Sequence, residues 1–383
     1  MDTIDEILAK GPPPGFDKFD ASIKEHLATP QITLVQHRRG KIAELLKLLD
    51  DRKIIYLDTK FWVYLRQPSL SRAQDTIREI KRLLYAGVQA GKLICPMSFP
   101  IYLELQLQPM KLRSETARIM DDLSLGVSLD GPEHVYGTEL TRFFIENSSH
   151  LRHLSWTVVT AWTKIGTLFG EPYPPRGILQ EPMQTAMDKA LFDRLWNATV
   201  TDMAQLHEEP MEPTSVAEQI NEERKQYPRN GQSFQALYAN ELHGLLDFNK
   251  HLINDSIRDI AGLVLNPADI PASGFSNQWP ADKFVHLVKY ATTMRRGQLG
   301  IPMQRTEAAL YAFLRLDEQR PFQTNDANDI RHTASAMAYS DVFLTEKFFA
   351  SVANRREIRG VAPLNCQTAW IPEDALALIR AIS

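Results

Sequence analysis

Short apolar runs and amphipathic stretches alternate along the first third of the chain. In KIAELLKLLDDRK, Ile42, Leu45, Leu46 and Leu49 recur at helical spacing, so residues 1–50 are expected to be a helical lead-in that follows a Gly-Pro break at residues 11–15. KIIYLD, residues 53–58, is a brief apolar run closed by an acid. Such a run suits a strand buried on both faces of a parallel sheet, with Asp58 at its carboxyl end. Over residues 72–87, Ile77, Ile80, Leu83 and Leu84 share one helical face and charges the other. KLICP predicts a second buried strand, and residues 98–108 a helix opened by a serine cap. LGVSLDGPEHVYGTELTRFF reads as strand, turn and helix.

Alternating strands and helices predict an α/β fold with a central, mainly parallel sheet between helical layers. The pattern fades between residues 150 and 304, where helical stretches are broken by Pro-rich joints such as GEPYPPRG, EEPMEPTS and NPADIPASG. It returns afterwards: RTEAALYAFLRLDEQRPF and NDANDIRHTASAMAYS read as helices, and DVFLTEKFF as a strand running into a helix. The expected organisation is therefore a lead-in at 1–50, a core in two parts at 51–149 and 305–383, and an all-helical insertion at 150–304 between them.

Composition changes this picture little. The 383 residues are 44% hydrophobic and 23% charged, as in ordinary globular proteins. A net charge of -4 excludes a protein that coats nucleic acid by charge alone, so any such contact must come from a local basic patch. Two cysteines, Cys95 and Cys366, argue against a disulfide framework. The opening MDTIDEILAKGPPPG has acids where a secretory signal carries bases, and no window suits a membrane span, so a cytoplasmic protein without a membrane partner is expected.

The candidate chemistry lies in acids. Asp58, Glu104 and the pair Asp326 and Asp329 fall where an open α/β sheet places its active site, and Asp341 with Glu346 brackets the last apolar strand. Carboxylates grouped in this way repel one another unless a cation neutralises them. Mg²⁺ or Mn²⁺ prefers such oxygen ligands and keeps waters able to attack a phosphodiester.

The blocks IIYLDTKFW, SFPIYLELQ and NDANDIRHTASAMAYSDVFLTEKFF resemble, in order, the acidic motifs of PIN-like nuclease domains. The resemblance covers roughly residues 51–146 and 305–365. It implies a three-layer α/β/α core and a divalent-metal-dependent endonuclease acting on RNA or another single-stranded nucleic acid. It further implies Asp58, Glu104 and Asp329 as catalytic metal ligands with Asp326 adjacent. Many members carry an Asp where this chain has Lys347, so Asp341 or Glu346 would complete the site; Lys60 replaces a frequent Asn. Thr59 and Thr345 would hold water or orient a carboxylate. His332 would touch a phosphate or a ligand carboxylate, and Lys347 would contact phosphate. The insertion would shape substrate access or bind a protein partner. The lysines also leave room for a catalytically degenerate member that binds RNA or protein without cutting.

Plainer roles exist for the same residues. Asp58 and Asp326 stand where acids cap helices, and Glu104 would be solvated on an ordinary amphipathic helix. Arg66, Arg72, Arg113, Arg331, Arg355 and Arg356 would form a phosphate-binding fringe if they converge. His150 and His153 share helical spacing but lack a third zinc ligand nearby.

Overall fold

The computed structural model of the chain describes residues 16–147, 160–175, 177, 179–206, 217–226, 231–252, 286, 288–290, 300–317, 319–361 and 365–382; His150 and His153 lie outside them. In chain order the elements are α1 (Phe16–Leu27), α2 (Leu34–Asp50), β1 (Lys53–Leu57), α3 (Thr59–Arg66), α4 (Gln74–Gln89), β2 (Leu93–Ile94), α5 (Phe99–Gln106), α6 (Met110–Ser124), β3 (Val127–Leu129) and α7 (Pro132–Asn147). There follow β4 (Trp162–Lys164), α8 (Met183–Trp196), α9 (Val200–Ala204), α10 (Ala217–Gln226), α11 (Phe234–Phe248), α12 (Pro302–Leu316) and α13 (Asp326–Tyr339). β5 (Val342–Leu344), α14 (Lys347–Ala353), α15 (Arg356–Val361), β6 (Gln367–Ala369) and α16 (Pro372–Ile382) complete the order.

Four strands form a parallel sheet in the order β2-β1-β5-β6, so the fold is mixed α/β as expected. The chain returns after some 280 residues to lay β5 beside β1, with Ile55 opposite Val342 and Leu57 opposite Leu344. The last three residues of β1 are wholly buried, which accounts for their unbroken apolar character. Alternation along the strands puts Tyr56 and Phe343 on one face, their rings 5.5 Å apart, and α13 covers them. Helices α4 and α16 each touch one edge strand, β2 and β6, and also pack on one another, so together they span the other face.

One stretch departs from the sequence expectation. Trp162–Lys164, within the segment read as all-helical, is a strand pairing antiparallel with β3, and a bridge from Met97 to Ser128 joins this ribbon to the main sheet. Three residues are too few for a periodicity to register. The described part of the lead-in is helical, as α1 and α2, and α2 packs on the core. Leu45 and Leu49 of α2 share a small core with Ile94, Val127 and the α8 residues Phe192 and Trp196. Local caps explain why these helices begin where they do: Thr33 and Gln36 form a reciprocal capping box at α2, and Ser98 caps α5 through Ile101.

Re-entry of the chain into the core is fixed by Glu139 on α7. Its buried carboxylate accepts the backbone N–H groups of Met303 and Gln304 at the start of α12, at 2.7 and 3.2 Å, and the Tyr339 hydroxyl at 2.9 Å. An acid reaching across 164 residues thus does for α12 what a local N-cap does elsewhere. Among the described residues, no helix is long and apolar enough to cross a membrane.

Candidate metal centre

The carboxyl ends of β1 and β5 open into a cleft of about 670 Å³ lined by Asp58, Glu104, Asp329 and Glu346. Each acid arrives on a different element. Asp58 follows β1, where its N–H donates to Leu344 of β5 and its carbonyl starts α3 by accepting from Phe61 and Trp62. Glu104 sits on α5, Asp329 in the first turn of α13, and Glu346 immediately ahead of α14. The N-termini of α3 and α13 point their positive ends toward this group.

Asp58 is buried, yet its side chain makes no cap hydrogen bond to α3. It accepts instead from the Thr345 hydroxyl, 2.8 Å from Oδ2. Thr59 Oγ1 is buried in the cleft wall without a well-directed hydrogen bond. His332, one turn beyond Asp329, is 1% exposed and faces the floor of the same cluster. Its Nε2 lies 3.2 Å from Glu104 Oε1, at ion-pair distance but off the line of a hydrogen bond. One donor atom each from Asp58, Glu104 and His332 fall within 4.8 Å of one another. Behind the imidazole, Nδ1 is 2.8 Å from the Tyr56 hydroxyl, which is 2.6 Å from Ser98 Oγ.

The electrostatics follow from this crowding. Burial raises the pKa of Asp329, and Asp58, Glu104 and Glu346 raise it further against the opposing pull of His332, so that it is pushed up to about 8. Burial and its carboxylate neighbours also raise Asp58 and Glu346. Glu104 goes the other way, because His332 and Thr59 outweigh the effect of burial. Burial disfavours charge on His332, but Tyr56, Glu104 and Asp58 prevail and hold its pKa well above the ordinary value. The imidazolium thus offsets part of the negative charge, and the Asp329 carboxylate still has no hydrogen bond or ion pair among the described residues.

Asp341 and Asp326 take no part in this cluster. Asp341 precedes β5 and binds Lys53 Nζ and the Ile54 N–H, both at 2.8 Å, at the far end of the strands. Ile54 and Asp58 stand four residues apart, roughly 13 Å along β1. Asp326 is held at 2.7 Å by both terminal nitrogens of Arg320 and accepts from the Gln323 N–H. It closes the loop before α13 and has no free oxygen turned to the cleft. Lys347 lies 5.3 Å over the Trp370 ring and does not line the cleft. Lys60 does line it, near enough to oppose the rise in Glu346, while also lying 5.8 Å over Tyr64.

Of the arginines, Arg66 and Arg331 reach the cleft. Arg113 is wholly buried and bonded to Gln106, which removes it from any phosphate fringe. Asn325 and Asn328 also face the cleft and went unnoticed in the sequence, although both share the NDANDIR turn with Asp329. Tyr56 and Ser98 were missed because an apolar strand and a helix cap explained them fully. No family model matches the chain, and neither a curated protein nor a solved structure matches it.

Proposed function

We propose that the chain is a PIN-like, divalent-metal-dependent nuclease that hydrolyses phosphodiester bonds in single-stranded RNA. The observation that carries this reading is the meeting of four carboxylates from sequence-distant elements in one cleft, with one of them pushed up to about 8 by burial and its neighbours. A fold tolerates such repulsion where a bound cation relieves it. The donors fit Mg²⁺ or Mn²⁺: they are hard oxygens on Asp58, Glu104, Asp329 and Glu346, with the Thr59 hydroxyl beside Glu104. When bound, such an ion supplies a Lewis acid and an acidified water for attack on phosphorus.

The remaining work falls to the chain. Thr345 holds Asp58 in orientation through its hydrogen bond. Lys60, Arg66 and Arg331 provide the local positive charge that an acidic protein needs to hold a phosphodiester backbone. Val63, Leu103, Leu107 and Leu112 form an apolar wall in the same cleft. Bases unstacked from a single strand can lie against such a wall, whereas a duplex keeps theirs covered; this favours a single-stranded substrate.

A second reading has one observation in its favour. Lys60 lies in the cleft close to Glu346, so a resident cation already neutralises part of the cluster, as a degenerate member that binds RNA or a protein without cutting would have. End-labelled single-stranded RNA and DNA, with Mn²⁺ or EDTA, separate the two. The nuclease reading expects RNA cleavage that EDTA and each of Asp58→Asn and Asp329→Asn abolish. Cleavage that persists in both variants removes these residues from the chemistry. Mn²⁺-independent binding without cleavage selects the second reading. Any protein partner of residues 150–304 is a further element of the proposal, testable by deletion of the Pro-rich joints.

A further inference from the structure

Resting on the metal-dependent reading above, we infer that His332 is itself a ligand of the ion, through Nε2, giving a mixed nitrogen and oxygen site that selects Mn²⁺ over Mg²⁺. Three features of the ring point there. It is 1% exposed, and Nε2 is a buried polar atom with no directed hydrogen bond, aimed into the space shared with Asp58 and Glu104. The 3.2 Å between Nε2 and Glu104 Oε1 is the separation of two donors that bind one ion at about 2.1 Å with an angle of roughly 100° between them.

The third feature is the support behind the ring. Ser98 Oγ, Tyr56 Oη and His332 Nδ1 form a buried chain with spacings of 2.6 and 2.8 Å. In one polarity Nδ1–H donates to Tyr56, Tyr56 donates to Ser98, and Nε2 presents a lone pair to the cluster. Reversed, a neutral ring would carry an N–H at Nε2 with no acceptor in line, which is costly when buried. Ligating histidines are held in this way, with the second ring nitrogen donating to an oxygen that fixes tautomer and orientation. Without an ion, a proton on Nε2 balances the same carboxylates. Mn²⁺, although the weakest nitrogen binder of the first-row divalent ions, accepts an imidazole more readily than Mg²⁺, which is smaller and prefers an all-oxygen shell.

Pulsed electron paramagnetic resonance on the full chain loaded with Mn²⁺ tests the ligand directly. The expected spectrum shows histidine nitrogen coupling that changes on ¹⁵N-histidine labelling and disappears in His332→Gln. That variant, checked for native circular dichroism, should lose about tenfold or more in Mn²⁺ affinity and much less in Mg²⁺ affinity. The wild-type labelling experiment stands alone if His332→Gln fails to fold. Mn²⁺ bound in an Asp58-dependent manner without nitrogen coupling overturns the His332 assignment and leaves the carboxylate site intact. Absence of any Asp58-dependent Mn²⁺ binding overturns both.

Discussion

Two sets of acids in this protein have opposite surroundings. Glu139 and Asp326 are buried and saturated: the first takes two backbone amides and a tyrosine hydroxyl, the second both arms of Arg320 and a backbone amide. Asp58, Asp329 and Glu346 face one another across a cleft, and the described residues supply them with a threonine hydroxyl, a buried imidazole and a nearby lysine. Burial is common to Glu139, Asp326 and Asp58, so burial does not mark function. The distinction is whether the fold provides the partners or leaves the charge for something else to meet.

Substitution should break the two sets differently. The largest effect is expected on the proposed RNA cleavage: Asp58→Asn and Asp329→Asn should each lower it by about 100-fold or more in oligonucleotide assays. Thermal unfolding of the same metal-free Asp329→Asn protein at neutral pH should show equal or greater stability than wild type, because asparagine needs no proton taken up on folding. Next in size is Glu139→Ala, which strands the first amides of α12 and should cost about 3 kcal/mol in denaturant unfolding. Asp326→Asn loosens a pair whose arginine is partly exposed and should cost about 2 kcal/mol while leaving Mn²⁺ affinity unchanged. If Asp326→Asn abolished Mn²⁺ binding at intact fold, the division between the two sets would fail.

A smaller effect concerns pH. Asp329 has a native pKa of about 8, above the ~3.9 of an unfolded aspartate, so the native state binds more protons than the unfolded state between those values. Its contribution to stability is therefore greatest in acid and is lost as pH rises toward 8. Denaturation midpoints of the metal-free protein should decline over that range more steeply in wild type than in Asp329→Asn. Mn²⁺ should offset the wild-type decline. Identical slopes in the two proteins would show that Asp329 does not feel its neighbours. The smallest effect is that of Asp341→Asn, which should leave cleavage and Mn²⁺ affinity as they are, since its contacts are to Lys53 and Ile54.

The same contrast explains what could be read in the sequence. Asp58 was legible because an apolar run ending in an acid has one natural place in a parallel sheet, at the carboxyl end of a buried strand. Glu104 and Asp329 followed from helices that start beside that end. The position of Asp341 was not legible, because flanking a strand in sequence says nothing about which end meets the cleft; here Glu346 follows β5 and Asp341 precedes it. Asp326 and Asp329 sit three residues apart on one motif, and only the Arg320 contact separates their roles. The pairing of Tyr56 with His332 spans 276 residues and joins an apolar strand to a helix interior, leaving no local signal. The short strand β4 was hidden for want of length, and the N-terminal helices showed a face without showing that α8 would cover it.

The most direct measurement is a crystal of the wild-type chain soaked in Mn²⁺ with anomalous diffraction recorded at the manganese edge. The account predicts a peak within coordination distance of Asp58, Glu104 and Asp329, with Asp326 and Asp341 outside it. A well-ordered Mn²⁺-saturated crystal with no peak in the cleft, or with its peak on Asp326 or Asp341, would contradict it.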